Sequence, residues 1–474
     1  MVTRIFRHEW KNLLADRTLW VMAGLFAILT FYGVGNGARW VQFQRQTIEQ
    51  ALREEAERLS AHREFVASGA EPPSPWRDPR SPYAVGGTMG RRYAYLPPTP
   101  FASLAIGQSD LYPYYFQVST GSKQSFLNNY ELENPENLLA GRFDLAFAIV
   151  YLFPLLILSL SYNVLSAEKE QGTLAMVLSQ PVSLRTVAIG KIGLRALVVL
   201  TLGLGLSAGA YLLSGNGKEA TFGSLLLWTG VVAAYCFFWF AVAVAVNALG
   251  KSSAANAMIL AGIWLVLVVI VPASVNLLVT SKYPVPSRVE LVQSIRVATN
   301  EANARAAQVM SRYFLDHPEM APKGEAPDPN DYQTRSYAIR EDVERSMAPV
   351  LAKYDRQLLA QQGEVDRLKY LSPSIVAQEA LSDIAGTGLA RYKHFLGLVD
   401  RFHQEWRDFF VPRVFARQNL SPSDYDRFPR FRYHEEAAAE VRGRVLAGLG
   451  GLMAPLVLVF ALGMGGLRRY PVTT

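Results

Sequence analysis

Cysteine is almost missing from this sequence: Cys236 is the only one in 474 residues. No disulfide can form within the chain, so any part that folds outside a reducing compartment must hold by packing alone. Charge is scarce as well. Asp, Glu, Lys and Arg make up 18% of the residues, against about 25% in soluble domains. The six histidines (His8, His62, His317, His394, His403 and His434) form no His-Glu-x-x-His, and His394 and His403 lie nine residues apart, which is not a ligand spacing on one helix face. No Gly-x-Ser-x-Gly elbow for a serine nucleophile occurs. Gly250-Lys251-Ser252 has the ending of a phosphate-binding loop, but Ala245 stands where its first glycine belongs, and an apolar run precedes it instead of a strand. These absences leave no catalytic set, no metal site and no nucleotide or other cofactor site on the chain itself, and they argue against an enzyme. There is no internal repeat and no low-complexity tail.

What is present is apolar. Hydrophobic residues are 50% of the chain and are gathered into long runs, while the mean hydropathy of +0.11 leaves much of the chain in water. A helical span needs about 20 predominantly apolar residues. Six segments meet that length: 19–37, 143–165, 192–213, 222–249, 257–280 and 445–467. The fourth is longer than needed, which implies tilt or extension past the headgroups. A cleaved signal peptide over 2–37 fits poorly, because its apolar run is long and no small-x-small cleavage site follows. The span cores hold almost no charge; Asp144 and Arg195 only approach them, and Arg195 is placed to snorkel to the interface. That absence argues against a proton- or sodium-coupled carrier.

Basic residues in the short flanks set the orientation. Arg4, Arg7, Lys11 and Arg17 precede the first span; Lys169, Arg185 and Lys191 lie between the second and third. Lys251 lies between the fourth and fifth, and Arg468 and Arg469 follow the sixth. The short 214–221 loop opposite offers only Lys218. Both termini are therefore expected in the cytoplasm, and the net charge of +7 reads as topology rather than as nucleic-acid binding.

The expected fold class is mainly α: a polytopic plasma (inner) membrane protein of six transmembrane helices with two extracytoplasmic segments. Residues 1–17 form an amphipathic interface helix, with Ile5, Phe6, Trp10, Leu13 and Leu14 on one face and Arg7, Lys11 and Asp16 elsewhere. The first span (18–37) leads to extracytoplasmic segment 38–142, helical from Arg39 to about Val66, then proline-rich, then irregular with short strands over 93–130. After the second span (143–165) comes a cytoplasmic loop, 166–191, then the third to fifth spans within 192–280. Extracytoplasmic segment 281–444 reads as helices over 289–315, 337–371 and 390–410, with a proline-rich loop at 318–331. The sixth span (445–467) and a short tail (468–474) complete the chain.

The 166–191 loop carries the most specific pattern. It reads Ser166-Ala-Glu-Lys-Glu-Gln-Gly-Thr-Leu174, then a short apolar stretch, Pro181-Val-Ser183 and Gly190-Lys191. This resembles the signature loop of ABC-2-type (type-2 ABC exporter) transporter permeases: two acids one residue apart, Gly-Thr-Leu, a short helix, a Pro-Val/Ile-Ser turn and a Gly-Lys before the next span. Gly172 suits a helix end, since it tolerates positive φ, and Thr173 suits the N-cap of the helix that follows. Leu174, Met176, Val177 and Leu178 are expected to dock in a groove of another protein, with Glu168 and Glu170 pairing with its basic residues. Further stretches are similar to a branch of this family with a large extracytoplasmic domain between the fifth and sixth spans. They are 104–110, Asn134-Pro135, 141–144, 313–319, 371–374 and 385–391.

The resemblance implies a permease subunit of an exporter, coupled through Glu168, Glu170, Gly172, Thr173, Leu174, Met176, Pro181 and Ser183. Arg7, Trp10 and Lys11 of the interface helix are expected to join that contact or to frame a lateral entry. It implies two cytoplasmic ABC ATPase subunits that hold the ATP and Mg, and a second permease copy or paralogue. The lipid bilayer is a further partner, and an extracytoplasmic envelope protein another. An alternative is a subunit that transmits force to an envelope protein without moving a solute.

Overall fold

A computed structural model describes residues 2–15, 17–122, 143–213, 222–285, 287–321 and 331–471. The chain is mainly helical, with one small antiparallel pair of strands, β1 (Arg92–Tyr95) and β2 (Tyr115–Val118), among the described residues. Among the described residues, six helical stretches are long and apolar enough to cross a membrane: Trp20–Ser68, Leu145–Glu170, Leu184–Gly209, Phe222–Asn247, Ser253–Lys282 and Ala438–Arg469. The 214–221 loop and Asn134-Pro135 lie outside the described residues.

The elements run as follows. α1 (Val2–Ala15) precedes α2 (Arg17–Ser68), a single helix of 52 residues that holds the first apolar stretch and continues past it to Ser68, as the periodicity after Arg39 predicts. The second span enters through Leu145–Phe147 and a π-helical turn, Ala148–Leu152, before α3 (Phe153–Ser161). Two short helices follow, α4 (Ser166–Glu170) and α5 (Leu174–Leu178). α6 (Leu184–Leu213) and α7 (Phe222–Asn247) are the third and fourth. The fifth is α8 (Ser253–Trp264), a π-helical turn (Leu265–Ile270) and α9 (Val271–Lys282). α10 (Arg288–Ala304), α11 (Ala306–Asp316), α12 (Tyr332–Leu368), α13 (Pro373–Ala385) and α14 (Leu389–Phe415) come next, and α15 (Ala438–Gly466) is the last.

α7 is the centre of the bundle: Trp228, Tyr235 and Trp239 are fully buried in it. Its closest neighbour is α15, where a Cβ on Gly463 would stand 2.9 Å from the backbone nitrogen of Ala245, so a small residue lets the two backbones meet.

The π turns have a chemical cause. A proline in a helix offers no N–H to the carbonyl a turn before it, and in hydrocarbon that carbonyl has no water to turn to. Pro154 stands four residues after Val150, and the Tyr235 hydroxyl donates to the Val150 carbonyl at 2.7 Å. In a π turn the partner lies five residues on. For Leu267 that residue is Pro272, and the hydroxyls of Ser372 (2.5 Å) and Ser374 (3.3 Å) serve the Leu267 carbonyl instead. Tyr235→Phe is expected to cost about 1–2 kcal/mol, the penalty of an unmet buried acceptor. Adding Pro154→Ala should recover most of it. Unfolding titrations in mixed micelles measure both; an equal cost in the two backgrounds would exclude this account.

The serine contacts tie α13 to the fifth span, and α13 packs its Val376, Ala377, Ala380 and Leu381 into the same apolar core as α7 and α15. The sequence pattern predicts no helix over 372–389 and places all of 281–444 in an aqueous segment. Its α13 portion belongs instead to the end of the bundle.

Three of the stretches that carry the resemblance meet at this same end. The buried Asp144 carboxylate accepts from the backbone N–H of Phe147 at 2.6 Å and of Ile106 at 2.7 Å, so it both caps the second span and holds the 104–110 loop. The Thr99 hydroxyl donates to the Ala385 carbonyl. Arg391 donates to the carbonyls of Pro97 (2.9 Å) and Gly386 (3.1 Å) and pairs with Glu435 at 2.6 Å.

Beyond the bundle, a domain forms around α2, the strands and α14. Glu55 of α2 is buried against Arg92 at 2.8 Å and accepts from the Tyr93 N–H at 2.7 Å. Phe116, Phe395, Phe402, Trp406, Phe410 and Phe428 make its aromatic core. A second cluster joins α10, α11 and α12 through Ala302, Val309, Met310, Tyr313, Ile339 and Met347. The predicted 289–315 helix is broken at Arg305, whose φ of −105° and ψ of 22° leave the helical region, and α11 starts anew.

Candidate coupling surface at the loop end of the bundle

At the opposite end, the 166–183 segment folds by local rules. α4 extends the second span, and Gly172 stops it with a φ of +74°, a left-handed conformation that suits glycine. Thr173 departs from expectation. Its hydroxyl makes no cap to α5; it donates back to the Glu168 carbonyl at 3.2 Å, because Thr173 already has helical backbone angles (φ −80°, ψ −17°) instead of the extended ones a capping side chain needs. α5 then runs to Leu178. Ser183 starts α6, its hydroxyl accepting from the Thr186 N–H at 3.2 Å.

α6 begins at Leu184, eight residues before the apolar stretch predicted from 192. Its first turns hold Arg185 and Lys191, whose charges are met within the chain. Arg185 donates to the Met464 carbonyl of α15 at 2.9 Å. Lys191 pairs with Glu168 at 2.7 Å and donates to the Val164 carbonyl at 3.2 Å.

Both acids of the signature are therefore occupied inside the molecule. Glu170 accepts from the backbone N–H of Ser253 at 2.7 Å and from its hydroxyl at 2.9 Å, sitting at the N-terminus of α8, where a carboxylate is favoured by the helix dipole. Between them, Lys169 donates to the Gly250 carbonyl at 3.2 Å and lies 5.8 Å from the Tyr470 ring centre. Glu168 and Glu170 thus fasten the loop to α6 and α8.

The apolar residues also divide. Leu174 is buried in the core of the bundle, whereas Met176 is 72% exposed. Val177 and Leu178 are half-buried, and Pro181 and Ser183 are exposed.

Arg195 does not snorkel. It pairs with the buried Glu9 of α1 at 2.6 Å and also donates to the Leu160 carbonyl at the end of α3. This pair seats α1 against α6. Arg7 and Lys11 are exposed and fall opposite Glu9 on the helix at 3.6 residues per turn, and Trp10 is exposed between the two faces. Arg7, Lys11, Arg17, Lys251, Arg468 and Arg469 make an exposed basic rim around this end.

Sequence reasoning missed Glu9, Ser253 and Tyr470. Only Ser253 had a local signal, since serines after Gly250 mark a helix start: Ser252 does cap α8, accepting from the Ala255 N–H at 3.3 Å. No group of three or more His, Cys, Asp or Glu side chains stands ready to hold a metal ion among the described residues.

A family model described as a domain of unknown function, DUF3526, matches residues 288–434, from α10 to the segment ahead of α15. No curated protein matches the chain.

Proposed function

We propose that this chain is the permease subunit of an ATP-driven ABC-2-type exporter. Both termini and the α4–α5 loop face the cytoplasm, and the 38–142 and 281–444 segments lie largely outside the plasma (inner) membrane. Two separate ATPase subunits hold ATP and Mg and dock on α5. The carrying observation is the contrast between Met176 and the acids around it. One apolar side chain stands out to 72% exposure on a short helix, while Glu168 and Glu170 bind that loop to α6 and α8. A push delivered at α5 reaches the second, third and fifth spans through these bonds.

The basic rim supports the orientation, since Lys and Arg collect on the cytoplasmic side. The least covered spans support a second permease copy beside the lipid: only 17% of the most apolar window is buried in Ser253–Lys282 and in Ala438–Arg469.

The other reading, force transmission to an envelope protein without a transported solute, draws on α2. That helix passes unbroken from the first span into the aromatic domain, with Glu55 gripping β1.

The test is co-purification of the detergent-solubilised chain with ATPases encoded beside it, followed by ATP turnover of wild type and Glu170→Arg in nanodiscs. A complex is expected for both, because Glu170 is held by the Ser253 N–H and hydroxyl at the α8 N-terminus. Turnover of the variant should fall about tenfold, as the grip on α8 is lost and an arginine meets the α8 N-terminus. Failure of any ATPase to bind, or full turnover by the variant, would remove the coupling assignment.

A further inference from the structure

Between α14 and α15 the chain runs from residue 429 to residue 437 without a turn or a bend. Over 430–434 the burial alternates strictly: Arg430, Arg432 and His434 are exposed, Phe431 and Tyr433 partly buried. That is the period of a strand. Phe431 sits in the domain core, 5.6 Å from the Phe402 ring and 5.8 Å from that of Tyr95. Tyr433 lies under the Arg391 guanidinium at 5.2 Å. The segment is thus pinned on its inner face by aromatic rings.

Its backbone is not used in the same way. Among the described residues no backbone hydrogen bond ties 429–434 to any other segment, and the one polar contact to its backbone is His394 Nε2, 2.8 Å from the His434 carbonyl. A fixed strand with unused N–H and C=O groups is a template for another strand.

The outer face is basic and concave. A groove of about 750 Å³ is bounded by Arg401, Glu405, Arg430, Arg432 and His434. Asp426 also lines it, but is paired with Arg63 at 3.1 Å. Arg401, Arg430 and Arg432 have no ion pair among the described residues, and Glu405 is the single unpaired carboxylate facing them. Three guanidinium groups against one carboxylate leave the groove with unmatched positive charge.

We infer that 429–434 is the receiving edge for an acidic, extended peptide segment of another protein. That segment adds as a strand along this edge and sets its alternate carboxylates against Arg401, Arg430 and Arg432. Main-chain bonds would supply affinity and the alternate side chains specificity, the division expected of strand addition. Planar guanidinium groups suit carboxylates in two-pronged pairs. The inference stands on the domain alone and does not depend on how, or whether, the spans couple to an ATPase.

The experiment uses the full chain in nanodiscs and a fluorescent, end-blocked (Val-Glu)4 peptide, read by anisotropy. Binding is expected to weaken at least about tenfold in Arg430→Gln/Arg432→Gln, and similarly for a peptide N-methylated at alternate residues, which keeps its charge but loses half its donors. Arg430→Glu/Arg432→Glu should in turn accept (Val-Lys)4. Arg430 and Arg432 are both exposed, so thermal melting of the variants should match wild type and exclude misfolding as the cause. Three results would each overturn the inference. One is no binding of (Val-Glu)4 by the wild type. Another is equal binding of the N-methylated peptide. The third is competition by short polyphosphate at the same concentration as the peptide, which would mark a general anion groove.

Discussion

If the proposed coupling holds, replacing Met176 by glutamate is expected to weaken capture of an ATPase by about 30-fold or more while leaving the fold of the chain intact. The magnitude is that of a central apolar anchor, about 2 kcal/mol or more on truncation or polar replacement. The direction follows from exposure. Met176 is 72% exposed, so its own chain has little to lose. A charge placed there must either stay in water, which prevents docking, or be buried unpaired at the interface. Leu174 provides the contrast: it is buried in the bundle core, so Leu174→Glu should unfold the loop and reduce the yield of protein before any binding is measured. Titrating immobilised chain with the ATPase separates the two. Unchanged affinity for Met176→Glu at normal melting temperature would show that α5 is not where the ATPase sits.

Arg195→Met should destabilise the chain by about 3–5 kcal/mol, the cost of leaving one partner of a buried pair charged and alone. Glu9 and Arg195 are 5% and 12% exposed at their side chains and stand 2.6 Å apart. Adding Glu9→Gln to Arg195→Met should recover most of the loss, since an amide is far cheaper to bury than an unpaired carboxylate. Thermal melting of purified wild type, single and double variants tests this, with α1 accessibility to a protease as a second readout. A single variant that melts with wild type would mean that Glu9 reaches water and that α1 is held by its apolar contacts alone.

These two residues also illustrate what could be read in the sequence. The apolar stretches were legible because hydropathy over about 20 residues is a local property. The helix from Arg39 onward, the Gly172 stop and the strands beyond Arg92 were legible for similar local reasons. Contacts between distant elements were not. Arg195 reads as a snorkelling residue until Glu9, 186 positions away, is brought beside it. Glu168 and Glu170 read as docking charges until Lys191 and Ser253 claim them. The start of α6 at Leu184 was hidden because Arg185 and Lys191 lower the hydropathy of turns in which the fold bonds one to the Met464 carbonyl and pairs the other with Glu168. α13 was hidden by Pro373 and its small residues, which resemble a turn, although Ser372 and Ser374 fit the carbonyl that Pro272 leaves open.

The length of α2 has a geometrical consequence. Its 52 residues make a rod of about 78 Å at 1.5 Å per residue. Tilting such a rod by about 5° at its Arg17 end carries the Ser68 end sideways by roughly 7 Å. Repacking too slight to be noticed among the spans is thereby magnified to more than the width of a side chain where α2 ends. Angular change at one end of the molecule and translation at the other are the same event, seen at two radii.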